Sequence, residues 1–146
     1  MRSEPNRARK MARVVVDTNV LVSALIVGGK PRRLVLKLLD EHTVILSRQM
    51  LAELAEVLTR DKFMVTSSQV DRFLSGLVRK SRIVSAGSCF KVISEDPDDD
   101  EVLNTAYSGK ADYIVTGDKH LLALKEFKRI EIVKVTQMFE ILRLAR

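Results

Sequence analysis

The chain has little of several residue types that small proteins use to build specialised sites. Among its 146 residues there are one cysteine, two histidines, three prolines and no tryptophan. Cys89 therefore has no partner for a disulfide within the chain, and one cysteine with two histidines is too few for a structural zinc site. Aromatic residues make up only 5% of the chain, which leaves few side chains on which bases can stack. These scarcities exclude a disulfide scaffold and a zinc module.

Long hydrophobic runs are also missing. No apolar stretch approaches the length that crosses a bilayer, and the basic amino terminus has no apolar core of the kind found in a secretory signal. We therefore expect a cytoplasmic protein with no membrane association. The length suits one domain, so we predict a basic, flexible tail over residues 1–12 and a single domain over residues 13–146.

Charge is plentiful and unevenly placed. The 25 Lys and Arg residues exceed the 19 Asp and Glu residues, which gives a formal net charge of +6 and favours a polyanionic partner. The acidic residues nevertheless concentrate in one place, since Glu95–Glu101 holds six carboxylates in seven positions. A basic chain with one concentrated acidic segment points to a site that needs carboxylates.

The pattern of apolar residues predicts strands that alternate with helices. Strands are predicted at Val14–Val16, Thr43–Leu46, Tyr113–Thr116 and Ile130–Val133, with weaker candidates at Ile83–Val84 and Val92–Ile93. Ser47, Ser68 and Thr136 are the predicted N-caps of three helices. Strands that alternate with helices are typical of a three-layer α/β/α sandwich around a central, mainly parallel sheet.

Two aspartates follow predicted strands. Asp17 comes directly after Val14–Val16, and Asp118 comes two residues after Thr116. Because ligand sites in parallel sheets lie beyond the carboxyl ends of the strands, both carboxylates are expected at one edge. The alternative for either residue alone is an ordinary turn or N-cap aspartate.

Two further acids have a helical phase that points toward the core. Glu53 falls near the edge of the apolar stripe between Met50 and Leu54, whereas Glu56 falls opposite that stripe. Glu53 can therefore border a pocket, although most helical glutamates are simply exposed.

Asp99 lies on the line of Val102, Leu103 and Ala106, one turn nearer the start of its helix. The helix dipole alone favours an acid at that position. An inward Asp99 beside Asp17 would nevertheless bring like charges together, and a hard divalent cation such as Mg²⁺ or Mn²⁺ relieves that repulsion.

Four segments together resemble the PIN-domain ribonucleases, especially the branch of toxins from toxin–antitoxin (VapC-like) pairs. Val14–Leu21 is similar to the first motif of that family, Leu51–Leu58 to the second, Asp96–Ala106 to the third and Ala111–Asp118 to the fourth. The resemblance implies a PIN-like fold that covers most of the chain. It implies that Asp17, Glu53, Asp99 and Asp118 are the catalytic, metal-binding acids, with Asn19 and Thr116 in support.

Three other positions near these motifs need separate interpretations. Asp96 is an accessory acid in one interpretation and a turn residue before Pro97 in the favoured one. Asp112 precedes its strand and is expected to be structural, at the opposite end from the site. His120 stands where relatives in this branch often carry another aspartate, which removes an accessory acid.

Basic residues near these segments are candidates for contacts with substrate phosphates. The nearest in sequence are Lys30, Arg32, Arg33 and Lys119, and the alternative for each is an ordinary solvated charge. The predicted function is hydrolysis of RNA phosphodiester bonds with Mg²⁺ or Mn²⁺, in a homodimer that pairs with a small antitoxin.

Two other functions are left open by the sequence. One is a catalytically weak nucleic-acid-binding module with the same fold. The other is phosphotransfer through an aspartyl nucleophile, against which the segment Asp17–Asn19 lacks the usual second acid.

Overall fold

A computed structural model describes residues 11–60, 63–85 and 97–144, with all side chains in those ranges except those of 97–99 and 144. The predictions for residues 1–10, for a strand at Val92–Ile93 and for Asp96 lie outside the described residues. None of the helices in the described ranges is long and apolar enough to cross a bilayer.

Strands and helices alternate along most of the described chain. The order is β1 Arg13–Val16, α1 Thr18–Ile26, α2 Gly29–Glu41, β2 Thr43–Ser47, α3 Arg48–Arg60, α4 Ser67–Lys80, β3 Ser81–Val84, α5 Pro97–Ser108, β4 Tyr113–Val115, α6 Lys119–Leu124, β5 Glu126–Phe127, β6 Ile130–Val133 and α7 Val135–Leu144.

The strands form one sheet in the order β3-β2-β1-β4-β6-β5. Every pairing is parallel except that of β5 with β6. Val14, Val15 and Val16 are all 0% exposed, and successive residues of a strand face opposite sides. Both faces of the sheet are therefore covered, which confirms the predicted three-layer α/β/α fold. The sequence analysis missed β5, because two residues are too few to show a periodic pattern.

Two of the predicted helix starts can be compared with side-chain caps. Ser47 caps α3 as predicted, since the Met50 N–H donates to Ser47 Oγ at 3.0 Å. The prediction for Ser68 is wrong. Thr66 is the cap of α4, because Thr66 Oγ1 accepts from the Gln69 N–H at 3.1 Å and Gln69 Oε1 accepts from the Thr66 N–H at 2.8 Å. This reciprocal pair satisfies two terminal donors, which a cap at Ser68 would not.

The prediction for Thr136 is also wrong. The last helix begins at Val135, so Thr136 already lies in its first turn. At this end Gln137 Oε1 accepts from the Lys134 N–H at 2.9 Å. The side chain of Gln137, inside the helix, therefore accepts a hydrogen bond from the residue that precedes the helix.

The amino end of β1 is held by side chains from both neighbouring segments. Asp112 Oδ2 accepts from the Arg13 N–H at 2.9 Å, which confirms the structural role expected for Asp112 at the edge opposite the predicted site. His42 Nδ1 accepts from the Ala12 N–H at 3.0 Å, and burial lowers the pKa of His42. A neutral imidazole is needed for that bond, because a protonated one has no acceptor.

The end of α5 lies very close to β2. A Cβ added at Gly109 would meet Ile45 Cγ2 at 2.6 Å. The Gly109 carbonyl also accepts from the Arg13 guanidinium, with a distance of 2.7 Å to Nη2. Gly109 thus does more than end the helix, since it allows α5 to approach the sheet closely.

Candidate metal and catalytic site

The carboxyl ends of β1 and β4 bring Asp17 and Asp118 to the same edge of the sheet. The two strands are parallel neighbours, with Val16 opposite Val115. The Asp17 N–H continues this pairing by donating to the Val115 carbonyl at 2.9 Å. The strand-end placement expected from the sequence is therefore observed for both aspartates.

A threonine connects these two acids. Thr116 Oγ1 donates to Asp17 Oδ2 at 2.6 Å and accepts from the Asp118 N–H at 3.0 Å. Thr116 is 1% exposed, and its bond to Asp17 is buried. The hydroxyl fixes the carboxylate of Asp17 and the backbone of Asp118 relative to each other, which is the supporting role proposed for Thr116 from the sequence.

The carboxylate of Asp17 is buried at a cost. Its residue is 6% exposed, and burial raises the pKa of Asp17 because the charged form loses water. The charge of Asp118 raises the pKa of Asp17 further, while hydrogen bonds from Thr116 and Thr18 oppose the rise. Although Asp17 is the N-cap residue of α1, its side chain makes no capping bond. An ordinary capping role does not explain why this charge is buried.

Asp118 does cap a helix, but with one oxygen. Asp118 Oδ1 accepts from the backbone N–H groups of His120 at 2.7 Å and Leu121 at 3.2 Å at the start of α6. Among the described residues, none donates a hydrogen bond to Oδ2 of this half-buried side chain. The capping bonds orient the carboxylate and leave its second oxygen available to a ligand.

Glu53 approaches this edge from α3, and its burial agrees with the position that the helical repeat predicts. Glu53 is half-buried, whereas Glu56 is exposed. Thr18 Oγ1 donates to Glu53 Oε1 at 3.4 Å, so the first turn of α1 connects Glu53 to the neighbourhood of Asp17. The sequence analysis missed Thr18, because nothing in the local pattern marks its hydroxyl as the link between two motifs.

Asp99 is described in its backbone alone. It is the third residue of α5, and the residues predicted to share its face, Val102, Leu103 and Ala106, are buried. The helix packs against β1, β4 and α3, which are the elements that precede or carry the other three acids. The side chain of Asp99 lies outside the described residues, and so does all of Asp96.

The donor atoms at this edge suit a hard cation. The carboxylates of Asp17 and Asp118 offer oxygen ligands, and Mg²⁺ and Mn²⁺ prefer oxygen. A cation would also offset the repulsion and burial that raise the pKa of Asp17. Among the side chains that the structure describes, no group of three His, Cys, Asp or Glu residues forms a metal cluster.

A cleft of about 380 Å³ opens beside Thr116, the residue that bonds to Asp17. Its walls include Asn19, which is exposed, and Thr116. Further lining residues come from α1, α2, α6, the start of α7 and the segments just before α6 and α7, namely Val20, Ser23, Pro31, Gly117, Leu122, Lys134, Val135 and Thr136. The predicted supporting residues Asn19 and Thr116 thus share one cavity.

The predicted phosphate-binding residues are divided among three places. Lys30 and Arg33 line an adjoining cleft, and Lys119 is exposed directly after Asp118. The guanidinium of Arg32 instead binds the end of α1, donating to the carbonyl oxygens of Ala24 and Leu25 at 2.8 Å each. Those bonds satisfy helix carbonyls that would otherwise lack partners.

Similar proteins were found by sequence. Residues 13–120 match the PIN domain family. An uncharacterized protein of Methanocaldococcus jannaschii is 32% identical over 120 residues, which cover 78% of this chain and 76% of the relative.

The fold also resembles solved structures. VapBC2 from Rickettsia felis, crystallised bound to a DNA fragment from its promoter, aligns with a TM-score of 0.61 at 16% identity and covers 84% of this chain and 98% of that chain. PAE2754 from Pyrobaculum aerophilum aligns with a TM-score of 0.62 at 15% identity and covers 91% of this chain and 90% of that chain. At such identities the likeness concerns the fold. Taken with the sequence match, it shows that this chain belongs to the PIN domain family, whose members are nucleases that generally use divalent metal ions.

Proposed function

We propose that this chain is an endoribonuclease that hydrolyses RNA phosphodiester bonds with Mg²⁺ or Mn²⁺. The observation that carries the proposal is the buried carboxylate of Asp17, held by Thr116 beside Asp118 at the ends of two neighbouring strands. Burying a charge is unfavourable without a counter-charge, so the arrangement is explained by a cation that binds there.

Each acid has a distinct part in the proposed reaction. Asp17 and Asp118 would hold the metal, Asp99 would complete its ligands, and Glu53 would bind metal or position the attacking water. When bound, the metal would supply a Lewis acid and lower the pKa of a water. Thr116 keeps Asp17 in place through its 2.6 Å hydrogen bond, and Asn19 would offer its exposed amide to the substrate or to water at the metal.

Cleavage assays with purified protein test this proposal. RNA and DNA oligonucleotides are incubated with Mn²⁺, with Mg²⁺ or with EDTA, and the products are separated on gels. We expect cleavage of RNA with either metal, none with EDTA, and loss of activity in Asp17→Asn. The matched control is Asp71→Asn, which removes an exposed carboxylate of α4 and should retain full activity. Equal activity of Asp17→Asn and the native protein would exclude a role for Asp17.

A second candidate is a nucleic-acid-binding module that turns over poorly. It is favoured by one observation, namely the formal net charge of +6, which suits a polyanionic partner whether or not the chain cleaves it. Calorimetry separates the two functions. A module without catalysis binds RNA with a steep salt dependence but takes up no Mn²⁺, whereas the proposed enzyme takes up Mn²⁺ and loses that uptake in Asp17→Asn.

The proposal extends to a toxin that pairs with a small antitoxin. Support comes from the fold shared with VapBC2 and from an apolar groove of about 480 Å³ between α2 and α4. Leu36, Leu39 and Phe73 line this groove, and the cationic side chains of Arg72 and Arg79 also line it. An apolar groove with basic residues fits an acidic amphipathic helix.

Coexpression tests the pairing with an antitoxin. The gene next to that of this chain is expressed with it, and the double variant Leu36→Glu/Phe73→Glu is expected to lose copurification of its product. The proposal also includes a homodimer in the cytoplasm. Light scattering of the purified protein checks the dimer.

A further inference from the structure

A second cleft continues from the one beside Asp17. It measures about 490 Å³ and lies between the start of α2 and α7. The two clefts share Thr136, and Pro31 of the first is flanked in sequence by Lys30 of the second. The two cavities therefore form one groove that leads away from the acidic site, which we name the α2–α7 groove.

The α2–α7 groove is strongly basic. Lys30, Arg33 and Arg143 line its outer part, with Glu140 as the one carboxylate among the lining residues there. Lys134 lines the part nearer the acids. Among the described residues, none forms a hydrogen bond or ion pair with any of these four cationic side chains, all of which are exposed.

Three cations outside the groove are already engaged. Arg32 binds the end of α1, Lys37 pairs with Glu41 at 3.0 Å and Lys80 pairs with Asp40 at 3.3 Å. Unpaired cations that converge on one groove create a local positive potential, which attracts a polyanion. The half-buried ring of Phe139 also lines the groove and offers an apolar surface against which a base can stack.

We propose that the α2–α7 groove binds the backbone phosphates of the single-stranded RNA that flanks the cleavage site. Arg33 and Arg143 make the outer phosphate contacts, and Lys134 guides the strand toward Asp17. This inference rests on the proposed function, since it assigns the path of that enzyme's substrate. It adds α7 to the substrate site and predicts that the protein requires nucleotides beyond the scissile bond.

Binding without cleavage tests the groove separately from the catalytic proposal. The affinity for a labelled 12-nucleotide oligouridine is measured by fluorescence anisotropy in EDTA between 50 and 200 mM salt. Each phosphate contact on single-stranded nucleic acid contributes about −0.7 to the slope of log affinity against log salt. The double variant Arg33→Gln/Arg143→Gln should therefore reduce the slope by about 1.4. Over this fourfold range of salt, the native protein should lose about sevenfold more affinity than the variant.

The matched control is Arg82→Gln/Lys110→Gln, which removes two exposed cations from β3 and from the turn after α5. It lowers the net charge equally, and neither residue lines the α2–α7 groove, so its slope should equal that of the native protein. The proposal for the groove is overturned if the two double variants have equal salt slopes for RNA binding. This holds whether both slopes match that of the native protein or both are reduced. A groove variant that loses affinity for polyglutamate but not for RNA also overturns it, in favour of an acidic protein partner.

The two proposals fail in different ways. If the protein binds oligouridine through the groove but cleaves no RNA with any metal, the nuclease proposal fails and the groove stands. If it cleaves RNA while the groove variant keeps the native slope and the native kcat/KM on 12-nucleotide substrates, the groove fails and the nuclease stands.

Discussion

Replacing the carboxylate of Asp17 by an amide should stabilise the metal-free protein while it removes activity. Asp17 is 6% exposed, and burial together with the charge of Asp118 raises its pKa. The folded state therefore holds a charge at pH 7 that the unfolded state accommodates better. Asparagine has nearly the same shape, keeps an oxygen that accepts from Thr116 and carries no charge.

The magnitude is that of a typical stabilising substitution. We expect Asp17→Asn to raise the free energy of unfolding in EDTA at pH 7 by about 0.5–2 kcal/mol. About 1 kcal/mol shifts the melting temperature of a domain of this size by roughly 4 °C.

The pH dependence of stability identifies the buried charge of Asp17 as the cause. Because the pKa of Asp17 is raised in the folded state, the destabilisation is full at pH values above that pKa. It disappears as the pH falls below the unfolded value of about 3.9. The advantage of Asp17→Asn over the native protein should therefore be smaller at pH 4 than at pH 7.

Divalent metal should reverse the order of stability. A ligand at 100 times its Kd stabilises the folded state by about 2.7 kcal/mol, and Asp17→Asn should lose most of that gain. The assay is thermal and urea unfolding followed by circular dichroism, with EDTA or with saturating Mn²⁺. The exposed control Asp71→Asn should change stability by less than about 0.5 kcal/mol in either condition. An Asp17→Asn protein that is less stable than the native one in EDTA at pH 7 would refute this reasoning.

Three further predictions concern other positions. Thr116→Val should cost about 1–3 kcal/mol and raise the pKa of Asp17 further, because a buried hydrogen bond is lost, and Mn²⁺ titration should show weaker binding that Thr116→Ser restores. Since the pKa of His42 is lowered on folding, its stability contribution is full above about pH 6.5 and is lost as the pH falls through the folded pKa. Urea midpoints at pH 7.5 and 5.5 should therefore differ less in His42→Asn than in the native protein. Gly109→Ala should cost about 1–3 kcal/mol in urea unfolding, because its Cβ would lie 2.6 Å from Ile45 Cγ2, and Ile45→Val should recover part of that loss.

The buried acid of this site illustrates a conflict between stability and function. Under the proposed function, a charge that is costly in the metal-free fold would become favourable once a cation is bound, so the same residue would weaken one state and strengthen the other. Thr116 limits the cost by donating a short hydrogen bond to the carboxylate. Positions of this kind are expected where the local rules of stability give way to chemistry.

The sequence by itself determined most of the elements and their order, although it did not reveal β5. The run Val14–Val16 lacks alternation because both faces of β1 are covered, and the apolar stripe of α3 correctly separates half-buried Glu53 from exposed Glu56. Both signals come from periodicity within one element, which depends on burial alone. The cap at Ser68 failed because neighbouring hydroxyl residues compete for the same role, and the reciprocal bonds of Thr66 and Gln69 decide between them.

Only the tertiary structure decided which side chains connect the motifs. Thr116 donates to Asp17 across 99 positions of the chain, and Thr18 donates to Glu53 across 35. Arg32 lies next to residues of the basic groove in sequence but binds the end of α1. The bonds to Asp17 and Glu53 join elements that are distant in sequence, and which bond forms depends on the packing of sheet and helices. A pattern of residue types states what each segment becomes, whereas the approach of β1, β4 and α3 brings Asp17, Asp118 and Glu53 to one edge of the sheet.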